Sequence, residues 1–392
     1  MSSIFTGLLR GDRPRDVIRR SSIIALISFL TLIDLFGAQA LLPQIIVAFK
    51  TDPGTAGLAV NAATLGMAIS GLTVAWFADR INRKRGIWIC LLLLSVPTAL
   101  LSVTDSIWVF MTLRVVQGML MAAAFTLTMT YLSEQCEMMA VGGALAAYIT
   151  GNVASNLFGR LAAVTAADAT GLSGSFQAFA VLNLVGAGCA FLLIGARDDH
   201  PPKRGDSALA AWKRHLAVPG LRAVFFIGFL ILFVFIGVFT YVNLYLVNGL
   251  GLSPMSLGLV YLVFAPAIVT TPLAGIVVRT RGSRATLILS LTAALCGLLL
   301  IVAQSLWVVL VGMAIIGAST FFAQAAATGY ISRTVKTDRA QATGLYLTSY
   351  YLGGLIGALV LGQVNAHFGW QATCLCIGMV MVSAMLIARA LD

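Results

Sequence analysis

Charged residues are scarce in this 392-residue chain and make up 10% of it, whereas about a quarter of the residues in soluble domains carry charge. Hydrophobic residues, in contrast, reach 59%. A water-soluble fold cannot hide so much apolar surface behind so few charges. The composition therefore excludes a soluble protein and predicts one that crosses a membrane several times.

The sequence also lacks the motifs of several protein classes. No G-x-x-x-x-G-K-S/T loop occurs, which argues against transport driven directly by ATP. Six cysteines and three histidines are available as metal ligands. The cysteines fall in helices or on the cytoplasmic side, where disulfides are not expected. Cys374 and Cys376 point to different faces of a helix and the histidines lie in loops, so no metal site or other cofactor is expected. No nucleophile and base stand at a usable spacing within the apolar runs, so an enzyme is not expected.

Long apolar runs are what the chain has in abundance. About 20 apolar residues span a hydrocarbon core of ~30 Å, and each run must be helical because lipid offers unpaired backbone groups no partner. The runs predict spans at residues 22–48, 56–78, 86–104, 107–132, 139–165, 174–195, 221–247, 254–278, 285–304, 306–331, 339–365 and 369–390. The predicted fold class is an all-α membrane protein with twelve transmembrane helices.

The basic residues predict the orientation in the membrane. The net charge is +11, and nearly all of the 25 lysines and arginines fall on one side of the spans, whereas Lys50 stands on the other. By the positive-inside rule the basic side and both termini are cytoplasmic, in a multi-pass protein of a bacterial inner membrane. These charges predict contact with anionic lipids rather than nucleic acid. The first span is expected to act as an uncleaved insertion signal.

The two halves of the chain are similar to one another. Residues 196–220 form a long polar stretch, predicted to be a cytoplasmic linker with a short surface helix over residues 208–216. At an offset of about 200 residues Gly159 matches Gly357, as expected of parallel repeats related by an axis along the membrane normal. The predicted organisation is an N-terminal segment at 1–21, six-helix bundles at 22–195 and 221–392, and the linker at 196–220.

Two loops at matching positions carry a motif. Residues 75–85 read AWFADRINRKR, and residues 275–284 read GIVVRTRGSR. The first resembles the G-x-x-x-D-R-x-G-R-K/R loop of the major facilitator superfamily, with Ala75 and Asn82 where that family usually has glycine. The resemblance covers the whole chain and implies two six-helix bundles that work by alternating access. It also implies a cytoplasmic gate, here formed by Asp79, Arg80, Arg83, Lys84, Arg279, Arg281 and Arg284. The alternative for these residues is a basic turn that only sets topology.

Three charges lie within the predicted spans and away from their ends, namely Asp34, Arg114 and Arg160. Each costs about 2.5 to 3.5 kcal/mol on insertion scales, so each needs a partner, water or a function. Arg114, Gln117 and Gly118 match the R-x-x-Q-G signature of the superfamily's fourth helix, which links Arg114 by resemblance to proton movement in drug:proton antiporters. We expect Asp34 and Arg114 to pair, directly or through water, as a proton switch. The alternatives are a static ion pair and, for Asp34, simple wetting of the cavity.

Arg160 has a different sequence context. Residues 151–160 read GNVASNLFGR, which replaces the glycine-proline-rich signature that the fifth helix of antiporters carries. The segment is similar to that of the YnfM-like branch of efflux permeases, which have few assigned substrates. At 1.5 Å per residue Arg160 lies about 30 Å from the cytoplasmic end of its helix. It either binds a substrate anion or serves as a snorkelling or helix-packing residue.

Polar and aromatic side chains predict a cavity for a medium-sized organic solute rather than a bare ion, although each alone also suits helix packing. The predicted cavity residues are Gln39, Gln117, Asn152, Arg160, Tyr241, Asn243, Gln324 and Tyr350. We predict a monomeric, proton-coupled secondary active transporter of a small organic solute, with efflux favoured. The alternatives are proton-coupled uptake or symport of an anionic metabolite, and a non-transporting membrane assembly or lipid-handling factor on the same fold.

Overall fold

The computed structural model describes residues 14–77, 81–135, 141–194 and 208–391. Within these ranges the chain forms helices and no β-strand. The first half contains α1 (Pro14–Ala40), α2 (Leu42–Phe49), α3 (Pro53–Phe77), α4 (Arg83–Leu101), α5 (Ile107–Gln135) and α6 (Val141–Leu193). Then follow α7 (Ala208–Ala217), α8 (Pro219–Leu244), a π-helical turn (Tyr245–Gly249), α9 (Pro254–Val260), a 3-10 turn (Tyr261–Phe264), α10 (Ala265–Thr270), a 3-10 turn (Thr271–Leu273), α11 (Ala274–Leu300), α12 (Leu306–Thr334) and α13 (Arg339–Ala388).

Prolines lie where the predicted spans are interrupted. The first predicted span, 22–48, is divided at Leu41, and Pro43 occupies the first turn of α2, where its missing N–H is tolerated. The predicted eighth span is a series of short α-helical and 3-10 pieces. Three of these pieces have a proline in their first turn: Pro254, Pro266 and Pro272. A proline cannot donate the backbone hydrogen bond that a continuous helix needs, so the helix tightens into 3-10 turns there.

Nine of the described helices are long and apolar enough to cross a membrane, by length and composition. Two of them, Ile149–Leu193 with 45 residues and Gln341–Ala388 with 48, are about twice as long as one crossing needs. Each is interrupted at a glycine of positive φ, Gly171 (77°) and Gly369 (75°), at a boundary between predicted spans. The protein is therefore an all-α, multi-pass membrane protein. The total of twelve spans and the cytoplasmic termini stay predictions.

The two halves repeat the same helix contact. A Cβ added at Gly159 would lie 2.8 Å from the carbonyl oxygen of Ile33, and one added at Gly357 would lie 2.7 Å from that of Phe233. These glycines are related by the repeat, as are the two helix breaks described above. Small residues allow such close approach of helix backbones inside a membrane. The internal repeat predicted from the sequence is thus visible in the packing.

Helix α7 lies where the sequence predicted a short helix, and it contacts both halves. The ring centre of Trp212 is 5.7 Å from that of Trp76 in α3. On its other side Arg214 forms an ion pair with Asp338, the residue before α13. His215 Nε2 also lies 3.2 Å from the backbone oxygen of Asp338. The rest of the predicted linker up to residue 207 lies outside the described residues, and the predicted bundle boundaries stay predictions.

Replacing Gly118 with alanine should destabilise the protein, because the new Cβ would lie 1.8 Å from the backbone oxygen of Ala63 in α3. Overpacking of this kind costs roughly 1–3 kcal/mol, more than the gain in helix propensity from removing a glycine. Gly188 provides the matched control, since a Cβ there meets nothing within 4 Å. Thermal unfolding in detergent should show a lower Tm for Gly118→Ala and no loss for Gly188→Ala. Equal Tm values would contradict the packing described for α3 and α5.

Candidate functional site

The carboxylate of Asp34 lies in a polar network inside the N-terminal half. Its Oδ2 accepts hydrogen bonds from Thr98 Oγ1 at 3.0 Å, Asn183 Nδ2 at 2.8 Å and Gln117 Nε2 at 3.4 Å. The donors stand on α4, α6 and α5, so four helices converge on one oxygen atom. Asp34 is 1% exposed, and its Oδ1 has no hydrogen-bond partner among the described residues.

Arg114 belongs to the same network but does not contact the carboxylate directly. Its Nη1 donates to Gln117 Oε1 at 2.8 Å and to the backbone oxygen of Asp34 at 3.4 Å. Its Nε and Nη2 donate to the backbone oxygen of Val60 in α3, at 3.1 and 2.9 Å. The structure thus brings the two predicted residues together through the Gln117 amide, rather than through a direct ion pair.

A second network surrounds Arg160, which is fully buried. Its Nε donates to Asn156 Oδ1 at 2.9 Å, its Nη2 to Gln39 Oε1 at 2.5 Å, and its Nη1 to the backbone oxygen of Phe239 at 3.2 Å. Phe239 lies in α8 of the other half, so Arg160 joins the two halves. The guanidinium points into the protein, and whether Arg160 binds a substrate anion or serves in helix packing stays a prediction.

Aromatic rings enclose the guanidinium of Arg160. Its Cζ lies 4.6 Å from the ring centre of Tyr261, 5.6 Å from that of Phe264, 5.8 Å from that of Phe239 and 5.9 Å from that of Phe36. Desolvated cation–π contacts contribute about 2 kcal/mol or more. These contacts and the three neutral hydrogen-bond acceptors hold the charge in place without an acidic partner among the described residues.

Asn243 and Tyr261 extend the Arg160 network within the C-terminal half. Asn243 Nδ2 donates to the backbone oxygen of Gln39 at 3.4 Å, and Tyr261 Oη donates to Asn243 Oδ1 at 2.5 Å. Since Gln39 belongs to α1 and the other two residues follow the linker, this is another contact between the halves.

The two networks meet at neighbouring residues of α3. Val60 accepts from Arg114, while Asn61 Oδ1 accepts from Gln39 Nε2 at 2.9 Å. Asn61 Nδ2 in turn lies 3.3 Å from Thr240 Oγ1 in the C-terminal half. A movement of α3 at this point would disturb the surroundings of Arg114 and of Arg160 together.

A small cavity lies between the two halves, beside these networks. Its volume is about 20 Å³, close to the space of one water molecule, so a larger solute needs the halves to separate. Three predicted cavity residues line it: Asn152, Gln324 and Tyr350. Asn152 Oδ1 and Gln324 Oε1 are buried with no hydrogen-bond partner among the described residues. Phe36, Phe235, Phe321 and Tyr351 supply aromatic walls.

The other predicted cavity residues lie elsewhere. Gln117 belongs to the Asp34 network, and Gln39, Asn243 and Arg160 belong to the Arg160 network. Tyr241 donates to the backbone oxygen of Ala358 at 2.5 Å. None of these residues lines the small cavity, and neither do Asp34 and Arg114. A proton bound at Asp34 would therefore lie within the N-terminal half and outside the cavity between the halves.

The predicted cytoplasmic gate is described in part. Outside the described residues lie Asp79, Arg80 and the side chain of Arg279. Arg83 Nη1 donates to the backbone oxygen of Ile81 at 3.0 Å, and Lys84 Nζ lies 5.9 Å from the ring centre of Phe191. Exposed at the surface are Arg281 and Arg284. The gate stays a prediction, and the ion pair between Arg214 and Asp338 was not predicted from the sequence.

Sequence reasoning also missed Thr98 and Asn183 as partners of Asp34, and Asn61, Thr240 and Tyr261 as members of the Arg160 network. The available signal was a polar side chain within an apolar run. Such residues are common in membrane helices as packing contacts, so this signal alone does not select the members of a site.

The comparisons with known proteins agree with the fold. The Major Facilitator Superfamily matches the chain at residues 24–268 and 259–391. The chain is 27% identical over 371 residues to the "Inner membrane transport protein YnfM" of Escherichia coli (strain K12), covering 91% of this chain and 86% of that protein. It is 26% identical over 361 residues to an "Uncharacterized transporter" of Buchnera aphidicola subsp. Schizaphis graminum (strain Sg), covering 91% and 87%.

A third relative, the "Uncharacterized MFS-type transporter YybF" of Bacillus subtilis (strain 168), is 25% identical over 353 residues, covering 87% of this chain and 85% of that protein. The family match includes both halves and the residues of both polar networks. The chain therefore belongs to the Major Facilitator Superfamily and is a multi-pass membrane transporter.

Proposed function

We propose that this chain exports a small organic solute across the bacterial inner membrane in exchange for protons, by alternating access. The observation that carries the proposal is the environment of Asp34. One carboxylate oxygen accepts three hydrogen bonds from neutral donors, and the other has no partner among the described residues. A buried charged group with an unpaired oxygen is costly, and a proton on Oδ1 would remove the charge.

Gln117 and Arg114 link the electrostatic surroundings of the Asp34 carboxylate to the position of α3. In the structure Gln117 connects the two charged side chains, and Arg114 donates to the backbone oxygen of Val60 in α3. If α3 shifts when the halves rock, Arg114 loses or gains that acceptor, and the electrostatic surroundings of Asp34 change with it. Loading and release of a proton would thereby follow the opening and closing of the halves.

The link through Gln117 can be tested by substitution. Replacing Gln117 with leucine removes the two hydrogen bonds that join the Asp34 carboxylate to the Arg114 guanidinium. Solute-dependent proton flux should therefore fall roughly tenfold or more, since each is a hydrogen bond to a charged group. Gln363→Leu is the matched control because Gln363 is exposed and lies outside both networks. Proton flux in proteoliposomes is the measurement. Equal flux in the two variants would argue against the link.

The test of the proposed function is proton movement in proteoliposomes that hold a pH-sensitive dye, under an imposed pH gradient. Lipophilic cations, sugars and organic anions are added one class at a time. We expect one class to trigger proton movement in the direction opposite to its own transport. Movement of protons and solute in the same direction would favour symport. Failure of every class to move protons would contradict proton coupling.

Uptake of an anionic metabolite is the second candidate. It is favoured by Arg160, a buried cation with no acidic partner among the described residues. The direction of solute movement in the same assay separates uptake from export.

A further inference from the structure

We infer that the transported solute is an aromatic carboxylate, and that its carboxylate binds Arg160 when the two halves separate. This inference rests on the proposed transport function and names the class of its solute, whichever way the solute moves. It combines three features of the interface between the halves: an unbalanced positive charge, a continuous group of aromatic rings, and two unpaired amide oxygens.

The first feature is the difference between the two buried arginines. Arg114 shares a network with Asp34, so its charge is balanced within that network. Arg160 is equally buried, yet its acceptors are two side-chain amides and one backbone carbonyl, all of them neutral. One of the three, the carbonyl of Phe239, belongs to the opposite half. Separation of the halves would remove it and leave a guanidinium edge for a carboxylate, the acceptor that its planar fork fits best.

The second feature is the aromatic surface that joins Arg160 to the small cavity. Phe36 lines the cavity and also lies 5.9 Å from the guanidinium carbon of Arg160. Phe235 lies in the cavity wall, and its ring centre is 6.2 Å from that of Phe36, 4.8 Å from that of Phe239 and 5.4 Å from that of Phe321. Flat rings pack well against such walls. A solute bound to Arg160 would therefore place an aromatic body in the cavity.

The third feature is a pair of amide oxygens without a hydrogen-bond donor, one from each half. Asn152 belongs to α6 and Gln324 to α12, and both line the cavity with an oxygen that has no partner among the described residues. A buried amide oxygen without a donor is costly, so a hydrogen-bond donor on the solute, such as a hydroxyl or a ring N–H, would be stabilised there. Contact with both amides would also draw the halves together around the solute.

The same arrangement disfavours a cationic solute. Arg160 would repel it, and Asp34, the carboxylate in the described membrane interior, is enclosed in its own network and does not line the cavity. The charge at the interface therefore selects for anions.

The experiment compares acids with their neutral amides on the purified full-length protein in detergent, by isothermal titration calorimetry. The pairs are benzoate with benzamide, salicylate with salicylamide, and indole-acetate with indole-acetamide. They have nearly the same shape and differ in charge. We expect at least one acid to bind roughly tenfold or more tightly than its amide, as a charge-assisted bidentate contact would give. Arg160→Gln should remove this preference, and Arg160→Lys should retain part of it.

Several results would overturn the inference: no acid binds, an amide binds as tightly as its acid, or the preference for the acid persists in Arg160→Gln. The acid and amide comparison needs no variant, so it holds even if Arg160→Gln fails to fold. Proton flux triggered by cations, with no acid bound, would overturn this inference and leave the transport proposal standing. Acid binding that needs Arg160, with no proton flux for any solute, would overturn proton coupling and leave the anion site standing.

Discussion

Replacing Asp34 with asparagine should abolish solute-dependent proton flux in proteoliposomes, while exchange of labelled for unlabelled solute continues. Asparagine has nearly the size of the protonated carboxyl group and keeps a carbonyl oxygen that can accept from Thr98 and Asn183, which now donate at 3.0 and 2.8 Å. It cannot gain or lose a proton in the relevant pH range. The variant should therefore behave as a permanently loaded carrier, one that alternates with solute bound but no longer couples to protons.

Asp52→Asn is the matched control for this change. Asp52 is an exposed acid in front of α3, where it accepts a hydrogen bond from the backbone N of Thr55 at 2.9 Å. The hydrogen bonds from Thr55 hold the pKa of its carboxyl below the usual range, so it carries a charge at neutral pH as ordinary surface acids do. Asparagine caps helices equally well, so this variant should fold and keep full proton flux. If both variants kept full flux, Asp34 would not be the coupling residue.

Replacing Arg160 with glutamine should weaken the contact between the two halves and favour a form in which they are separated near this residue. The change removes a hydrogen bond to Phe239 and four aromatic contacts, most of them across the two halves. A hydrogen bond to a charged group contributes about 1.5–3 kcal/mol, and 1.4 kcal/mol changes a population tenfold. The open form should therefore be populated at least about tenfold more than in the unaltered protein.

Thiol labelling measures this opening. Thr240 is fully buried at the interface and lies 3.3 Å from Asn61 of the other half. In a protein whose six cysteines are replaced by serine, Thr240→Cys should react slowly with a membrane-impermeant maleimide. Arg160→Gln should raise that rate about tenfold or more. Arg222→Gln changes an exposed arginine near the start of the same helix, α8, and should leave the rate unchanged. An unchanged rate in Arg160→Gln would show that Arg160 does not hold the halves together.

The fold could be predicted from the sequence because the membrane imposes simple requirements. An apolar run of sufficient length must be a helix, and a glycine at the boundary of two runs, such as Gly171, permits the turn between them. The proximity of Asp34 and Arg114 was also predictable, since each buried charge needs a partner. What the sequence could not supply was the route between them, because the position of Gln117 depends on how α1, α4, α5 and α6 pack.

The surroundings of Arg160 were beyond sequence reasoning for a related reason. Its depth along the helix suggested a place near the membrane surface, but depth does not determine which face of the helix a side chain occupies. The contacts with Phe239, Tyr261 and Phe264 come from the opposite half, nearly eighty or more residues away in the sequence. The break of the first predicted span at Leu41 was foreseeable from Pro43, whereas the ion pair of Arg214 with Asp338 was not.

The most direct test of proton coupling at Asp34 is an infrared difference spectrum of the protonated carboxyl C=O band, recorded while the pH is changed across the neutral range. The spectrum of Asp34→Asn is subtracted from that of the unaltered protein, so that the other acids cancel. The account predicts a carboxyl band that appears as the pH falls and is absent from the variant. If the two proteins give the same carboxyl bands at every pH, Asp34 does not take up a proton, and the proposed coupling is contradicted.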